Sequence, residues 1–321
     1  MALLEIEDLH TYLYTRWGTV KAVDGTSFSL ERGKTLGLVG ESGCGKSMTL
    51  LSILRLLPWP AGRIVSGRIL FDGEDLVQKS EGELEKIRGK RIGMIPQDPY
   101  TSLNPVFNIE KQMTEPIQIH LGLKKRQVLK ERVTEILRKV RIGDPEKRLE
   151  CYPHQLSGGM RQRVVGGISI SCNPDLIIAD EPTTALDVSV QAQYINLIRD
   201  IQSTYNVALL YVSHDLSLIF RICDQVAVMY AGKIVEKGSV HEIFKETLHP
   251  YSRALVTSIP PVDCDIERLP SIPGQPPKLF ALPQGCYFAP RCPHAMDKCR
   301  QAYPEEFFVS EGHSVSCWRY A

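Results

Sequence analysis

The sequence has no apolar run long enough to cross a bilayer and almost no net charge. It holds 38 Lys or Arg residues against 37 Asp or Glu residues, so its formal net charge is +1 at pH 7. Its longest apolar runs, such as Val207–Val212, have the length of a core strand, whereas a membrane-spanning helix needs about 18 or more apolar residues. We therefore expect neither a transmembrane segment nor a nucleic-acid partner, which would favour a strongly basic surface.

The first ten residues, MALLEIEDLH, also lack the cations and the long apolar stretch of a secretion signal. We therefore expect the protein to stay in the cytoplasm, where thiols are mostly reduced. The chain of 321 residues, 43% apolar and 23% charged, has the composition of a soluble globular protein. That length allows one large domain with an appendage, or two domains.

Nine cysteines are unevenly distributed along the chain. Scattered cysteines in a reducing compartment are usually small apolar residues, and five belong to this class: Cys44, Cys151, Cys172, Cys223 and Cys264. A late cluster suggests metal ligation more than disulfides, and four cysteines form such a cluster: Cys286, Cys292, Cys299 and Cys317.

The apolar pattern changes between strand and helix periods along the chain. Strands are predicted at Leu3–Leu9, Ser27–Leu30, Thr35–Val39, Gly67–Phe71, Arg91–Ile95, Leu176–Ala179 and Val207–Val212. Helices are predicted at Met48–Leu57, from about Ile109 to Lys147, and at Gln191–Thr204. This alternation implies an α/β fold with a mostly parallel sheet and an inserted helical subdomain. The proline-rich stretch Ile259–Pro283 predicts a rigid or extended connector.

A phosphate-binding loop is predicted at Gly40–Ser47, which reads GESGCGKS between a strand and a helix. Glycines let backbone N–H groups close around phosphate oxygens, and the helix N-terminus adds a favourable dipole. Lys46 would reach the β- and γ-phosphates, and the Ser47 hydroxyl would hold Mg²⁺. The flanking strand and helix disfavour a chance glycine-rich turn. The predicted nucleotide contacts are Gly40, Glu41, Ser42, Gly43, Cys44 (through its backbone), Gly45, Lys46, Ser47 and Met48.

Two acids end the apolar strand in Leu176–Glu181, which reads LIIADE. Ligands bind at the carboxyl ends of strands in open α/β sheets. Asp180 would therefore face Mg²⁺, and Glu181 would polarise the attacking water. Without the upstream phosphate loop, the two acids would be read as an exposed pair at a strand end.

A second glycine-rich helix start lies at Leu156–Gln162, which reads LSGGMRQ. One nucleotide rarely needs two such loops from one chain, so this loop makes sense if it caps the ATP of a partner. Together with the elements above, the sequence resembles the ATPase subunits of ABC (ATP-binding cassette) transporters from residue 1 to about residue 250. The resemblance implies an ABC-type P-loop NTPase core with an antiparallel β portion and a helical subdomain.

The resemblance also implies roles for single residues. Gln97 in IPQDP matches the Q-loop, where it would touch Mg²⁺ and water, so the implied Mg²⁺ set is Ser47, Gln97 and Asp180. His214 in VSHD matches the switch histidine at the γ-phosphate, and Ala185–Asp187 resembles the D-loop. The LSGGMRQ segment at Leu156–Gln162 matches the family's signature motif, and the contacts implied there are Ser157, Gly158 and Gly159. Trp17 has the spacing of the family's adenine-stacking aromatic; Tyr14 is its competitor, and a core aromatic is the plain alternative.

Beyond about residue 240 the sequence resembles ATP-binding subunits of oligopeptide and dipeptide importers, a subgroup that includes nickel importers. The matching text lies at His249–Pro260, Ile272–Pro277 and Gly285–Cys299. The resemblance implies a nucleotide-binding domain at 1–250, with its helical subdomain at about 105–170, and a small irregular C-terminal domain at 251–321. It also implies that the protein lies at the cytoplasmic face of the membrane and energises the import of peptides. The implied partners are a second ABC ATPase, two permease subunits and, indirectly, an external peptide-binding protein.

The four late cysteines have the spacing C-x5-C-x6-C-x17-C. Structural zinc sites usually show tighter pairs, whereas the spacing of [4Fe–4S] ligands varies more. The importer resemblance also favours a [4Fe–4S] cluster. Zinc, and cysteines that are unligated or disulfide-bonded, remain open, and His294 or His313 could replace a cysteine.

Two other classes of ABC protein compete with the importer reading. A soluble ABC ATPase of translation or DNA repair usually has two cassettes or a long insertion, and this sequence shows one cassette without such an insertion. A nonhydrolysing regulatory cassette is disfavoured because Glu181 is present.

Overall fold

A computed structural model describes residues 2–259 and 271–321 of the chain. Its strands are β1 (Ala2–Thr15), β2 (Gly18–Glu31), β3 (Thr35–Val39), β4 (Gly62–Phe71), β5 (Glu74–Asp75), β6 (Ile92–Ile95), β7 (Leu176–Asp180), β8 (Ala208–Ser213), β9 (Gln225–Tyr230), β10 (Lys233–Ser239), β11 (Phe307–Ser310) and β12 (His313–Val315). Its α-helices are α1 (Lys46–Ile53), α2 (Glu81–Glu85), α3 (Pro99–Ser102), α4 (Ile109–Leu121), α5 (Arg126–Lys139), α6 (Pro145–Arg148), α7 (Gly158–Ile170), α8 (Val188–Tyr205), α9 (Leu216–Ile222), α10 (Val240–Lys245), α11 (Pro250–Thr257) and α12 (Asp297–Gln301). Among the described residues, short 3-10 helices lie at Pro153–Gln155, Ala289–Arg291 and Trp318–Tyr320.

The chain divides into two compact units. The first unit comprises Met1–Glu31, Thr35–Gln78 and Tyr211–Ala321, and the second comprises Arg32–Lys34 and Lys79–Leu210. No helix in the described part of the chain is long and apolar enough to span a membrane.

The first unit contains an antiparallel sheet with the strand order β2-β1-β4-β5. Leu4 and Ile6 of β1 are buried, and Leu4 lies opposite Leu30 on β2 and Phe71 on β4. All four side chains are almost fully buried, so this face of the sheet is sealed by cross-strand apolar pairs. The alternating apolar pattern in Leu3–Leu9 therefore has its expected structural cause.

The same unit holds a second run of strands in the order β11-β12-β10-β9-β3. β3 pairs with β9 in parallel, and the remaining pairs are antiparallel. All five residues of β3 are buried, as expected for a continuous apolar strand between covered faces. The C-terminal region therefore adds two short strands, of which β12 pairs with β10.

The second unit is mostly helical around the parallel pair β6 and β7, in which Ile92 lies beside Leu176. Helix α5 buries an apolar stripe and leaves its basic residues exposed or half-buried, as the charged periodic sequence indicates. Helix α4 ends at Gly122, which adopts the left-handed conformation at φ +68°. Asp187 caps α8 by accepting a hydrogen bond from the Val190 N–H at 3.0 Å.

The predicted strands are confirmed, with longer bounds for the first, second and fourth. Two helix predictions were too long: α1 ends at Ile53 instead of Leu57, and Ile109–Lys147 is broken into α4, α5 and the start of α6. Local turns at Arg55 and Gly122, both at positive φ, interrupt these runs. Part of the predicted connector Ile259–Pro283, with Cys264, lies outside the described residues. The domain boundaries at about 105, 170 and 250 stay predictions.

Candidate functional site

The phosphate loop connects β3 to α1 and closes around the side chain of Lys46. Lys46 is buried, and its Nζ donates to the carbonyl oxygens of Gly40 at 2.7 Å and Glu41 at 3.1 Å. The ammonium is therefore held inside the loop, at the start of a helix whose N–H groups favour an anion. The Cys44 thiol is also buried, and this burial raises its pKa, so the thiol stays neutral.

Gly45 immediately precedes α1 and has no room for a side chain. Its φ is +112°, and an added Cβ would lie 2.1 Å from the backbone oxygen of Ala22. The loop can therefore approach β2 this closely only with glycine at this position. This packing is the physical reason for the second glycine of the motif.

The acidic end of β7 brings two predicted catalytic side chains together. Gln97 Nε2 donates to Glu181 Oε2 at 3.3 Å, and Thr184 Oγ1 donates to the same oxygen at 3.2 Å. Glu181 has φ +43°, an uncommon conformation for a residue with a side chain, and such strain concentrates at functional sites. Asp180, one residue earlier, is buried. Sequence reasoning missed Thr184, although it lies only three residues after Glu181.

The predicted signature loop begins helix α7. Ser157 is the N-cap residue, and its hydroxyl accepts from the Met160 N–H at 3.3 Å. An added Cβ at Gly158 would lie 3.1 Å from Tyr100 Oη, and one at Gly159 would lie 2.7 Å from a methyl carbon of Val190. The small residues therefore allow close approach of neighbouring side chains.

The remaining predicted nucleotide contacts lie in the first unit. His214 is exposed directly after β8. Trp17 is 69% exposed at the turn between β1 and β2, and Tyr14 is 49% exposed on β1. The Arg16 guanidinium lies 4.0 Å from the centre of the Trp17 ring, in a cation–π contact. Both aromatics are exposed enough to stack on a base, so the choice between them stays open.

The predicted residues are therefore distributed over both units. Trp17, the phosphate loop and His214 belong to the first unit, whereas Gln97, the β7 acids and the signature belong to the second. The structure shows Gln97 beside Glu181 and Lys46 inside its loop. The shared Mg²⁺ set of Ser47, Gln97 and Asp180 stays a prediction.

The four late cysteines form a group in the first unit, which we call the cysteine module (Gly285–Cys317). The Cys286 N–H donates to the Cys299 carbonyl at 2.7 Å, and all four thiols are free of disulfide bonds. Burial raises the pKa of the Cys286 thiol to about 11, and the nearby thiols of Cys299 and Cys317 add to the rise. Cys286, Cys292 and Cys299 line a cavity of about 440 Å³.

The metal site that the sequence predicts in this module stays a prediction. Within residues 2–259 and 271–321, no group of three or more His, Cys, Asp or Glu side chains is placed to hold a metal ion. His313 is not available as a substitute ligand, because it is buried and its Nε2 lies 3.0 Å from Glu236 Oε1. His294 is exposed. The cysteines converge without reaching the geometry of an ion site.

Comparison with known proteins gives the family. The family model described as "ABC transporter" matches residues 23–184, just over half of the chain. The model described as "Oligopeptide/dipeptide transporter, C-terminal region" matches residues 235–299. The chain belongs to the ABC transporter family.

Relatives match this ABC ATPase over nearly its whole length. A probable peptide ABC transporter ATP-binding protein of Sinorhizobium fredii is 46% identical over 99% of this chain and 95% of its own. A dipeptide transport ATP-binding protein of Bacillus subtilis is 46% identical over 98% of this chain and 94% of its own. An oligopeptide transport ATP-binding protein of Escherichia coli is 43% identical over 99% of this chain and 93% of its own.

Solved structures share the fold of the ABC ATPase. A dimeric ATP-binding cassette in a post-hydrolysis state with ADP and Pi has a TM-score of 0.66 at 22% identity, covering 74% of this chain and 98% of that one. The structure of cbiO1 from Clostridium perfringens, part of an ABC transporter complex, has a TM-score of 0.65 at 25% identity, covering 77% and 92%. The predicted fold class is confirmed.

Proposed function

We propose that this ABC ATPase energises import of dipeptides or oligopeptides. The supporting observation is similarity to ATP-binding proteins of peptide transport over 98–99% of the chain, including the C-terminal region at residues 235–299. Cargo meets the permease and an external binding protein, so no residue of this chain selects it. A nickel importer is the alternative within the same subgroup.

The test is uptake into vesicles that contain the chain with its partner cassette and permease subunits. ATP-dependent uptake of a labelled dipeptide, with no uptake of ⁶³Ni²⁺, supports the proposal. Uptake of nickel alone would overturn the peptide assignment. The same complex with Glu181→Gln is the control, because its uptake should be lost while its assembly is retained.

The proposed chemistry is in-line attack of water on the γ-phosphate of ATP. Lys46 binds the β- and γ-phosphates, and Glu181 orients the attacking water with help from Gln97, whose amide already contacts its carboxylate. Mg²⁺, held by Ser47, Gln97 and Asp180, would neutralise charge on the phosphates. His214 would donate to the γ-phosphate.

We propose that two cassettes close head to tail, with Ser157 and Gly159 of one facing the γ-phosphate bound by the other. The second cassette is a different but related subunit. A signature loop on the same chain as a phosphate loop supports this arrangement, since one nucleotide does not need both. Cysteines introduced at Ser157 and at the partner's position equivalent to Ser42 should crosslink only with ATP. Equal crosslinking without nucleotide would contradict it.

We also propose that the chain docks at the cytoplasmic face of the membrane on two permease subunits, through the surface around Gln97–Asn104 and the helical subdomain. Tyr100 is 54% exposed on this surface, and its ring contacts the Arg161 guanidinium at 4.4 Å and closely approaches Gly158. A partner that binds at Tyr100 would therefore also act on the signature loop. Leu103 is only 2% exposed, so it supports the fold of this surface and is a poor docking residue.

Tyr100→Glu should retain ATP affinity and uncouple hydrolysis from transport. Thr101→Glu, a matched charge on the adjacent exposed residue, shows whether the effect is specific to the ring. Full transport by both variants would show that the permease does not dock on this surface.

For the cysteine module we propose a [4Fe–4S] cluster bound by Cys286, Cys292, Cys299 and Cys317. The supporting observations are that all four thiols are free, that Cys286, Cys292 and Cys299 line one cavity, and that Cys317 is near enough to interact electrostatically with them. Anaerobically purified protein should be brown and hold about four irons per chain. Colourless protein with one zinc per chain, and no iron after reconstitution, would eliminate the cluster.

A further inference from the structure

Arg291 of the cysteine module reaches the phosphate loop. Its Nη1 donates to Glu41 Oε2 at 2.7 Å and its Nη2 donates to Glu41 Oε1 at 3.0 Å, which is the paired geometry of a bidentate arginine–carboxylate contact. The Arg291 side chain is only 5% exposed, and that of Glu41 is 26% exposed. Screening by water is therefore weak, and the contact differs from an ordinary surface ion pair.

The Arg291 guanidinium is also fixed from its other sides. Its Nε donates to the Pro273 carbonyl at 2.9 Å, and its Nη2 donates to the Ile272 carbonyl at 3.3 Å. Its centre lies 5.8 Å from the Tyr230 ring and 5.9 Å from the Phe288 ring. A group with donors bonded on two sides and rings beside it has little freedom to move.

Glu41 is fixed through its backbone as well as its side chain. Its N–H donates to Tyr251 Oη at 2.8 Å. Tyr251 is fully buried and packs against Tyr230 and Phe288, with ring centroids 4.6 and 5.4 Å away. The same aromatic group therefore supports both Arg291 and the hydroxyl that holds the Glu41 backbone.

Glu41 in turn holds Lys46, because its carbonyl oxygen accepts from Lys46 Nζ at 3.1 Å. A continuous series of contacts thus runs from Arg291 through Glu41 to the lysine that meets phosphate. We propose that Arg291 is a positioning residue for the phosphate loop, so that the cysteine module forms part of the nucleotide-binding machinery of this ABC ATPase.

The proposal predicts a specific kinetic pattern. A loop that is held in place binds ground state and transition state alike, so releasing it raises KM and leaves kcat nearly unchanged. A residue that only supported folding would instead reduce the active fraction, which lowers apparent kcat and leaves KM unchanged. The two roles are therefore separable in one experiment.

The test compares Arg291→Gln with Arg300→Gln, which removes an exposed arginine from the same module. ADP and ATP dissociation constants are measured on the full chain, and KM and kcat are measured on the assembled transporter. Arg291→Gln should weaken nucleotide binding about tenfold, equivalent to about 1.4 kcal/mol. Arg300→Gln should bind as the wild type does.

Arg291→Lys provides the second arm, because it keeps the charge and loses the bidentate fork. Its dissociation constants should lie between those of the wild type and Arg291→Gln. Wild-type affinity in Arg291→Gln would overturn the proposal. So would an equal loss in Arg300→Gln, or a fall in kcat with unchanged KM.

Discussion

The two glycines Gly43 and Gly45 of the phosphate loop allow a matched test of how tightly the loop is packed. Both have positive φ, at +78° and +112°, so alanine is strained at either position. They differ in the space available for an added Cβ. A Cβ at Gly43 meets nothing within 4 Å, whereas a Cβ at Gly45 would lie 2.1 Å from the Ala22 backbone oxygen and 2.9 Å from Met229 Cε.

The expected loss of stability follows from these two terms. Left-handed backbone costs an alanine about 1–2 kcal/mol, which applies to both variants. Only Gly45→Ala must also move a backbone oxygen, and overpacking of this kind costs about 1–3 kcal/mol. Alanine restricts the unfolded chain equally in both variants, so that contribution cancels. We expect losses of about 1 kcal/mol for Gly43→Ala and about 3 kcal/mol for Gly45→Ala.

Equilibrium urea unfolding of both variants and the wild type, under identical conditions, measures the difference. The slope of the transition should not change, since neither substitution alters the surface exposed on unfolding. Equal losses for the two variants would refute the reasoning, because they would show that the close approach of the loop to Ala22 has no energetic weight.

Three further predictions concern other parts of the chain. Glu181→Gln should bind ATP normally and lower kcat by about 100-fold or more, because it removes the charge that orients water. Burial alone would raise the pKa of Asp24, but hydrogen bonds from Tyr12 and Tyr287 lower it below its usual value of 3.8. Asp24→Asn should therefore cost about 2 kcal/mol at pH 7, and the difference should shrink as pH falls below about 4. Leu38→Ala, in the fully buried β3, should cost about 3 kcal/mol.

Each of these has its own control. Wild-type turnover by Glu181→Gln would show that the assigned base is wrong. For Asp24, unfolding curves at pH 7 and pH 3 measure how the stability loss of Asp24→Asn depends on pH. A loss that stayed constant with pH would exclude a charge effect. Val65→Ala removes an exposed aliphatic side chain and should change the unfolding free energy little compared with Leu38→Ala.

The sequence by itself determined the functional segments whose residues are contiguous along the chain. The GESGCGKS and LSGGMRQ segments and the acids after Leu176–Ala179 could be recognised because a loop, a cap and a strand end are set by neighbouring residues. The confirmed strands follow for the same reason, since burial on one or both faces imposes a short apolar period. Helix ends were less certain, because local turns at Arg55 and Gly122 outweighed the helical spacing.

Only the tertiary structure decided which distant residues meet. Gln97 and Glu181 are 84 positions apart, and Arg291 and Glu41 are 250 positions apart. No periodicity links such pairs, because each contact depends on how whole elements pack. The same reason applies to the cysteines: their spacing showed that they are clustered in the chain, but the backbone between them sets where each thiol points. The cavity that Cys286, Cys292 and Cys299 line is therefore a property of the fold.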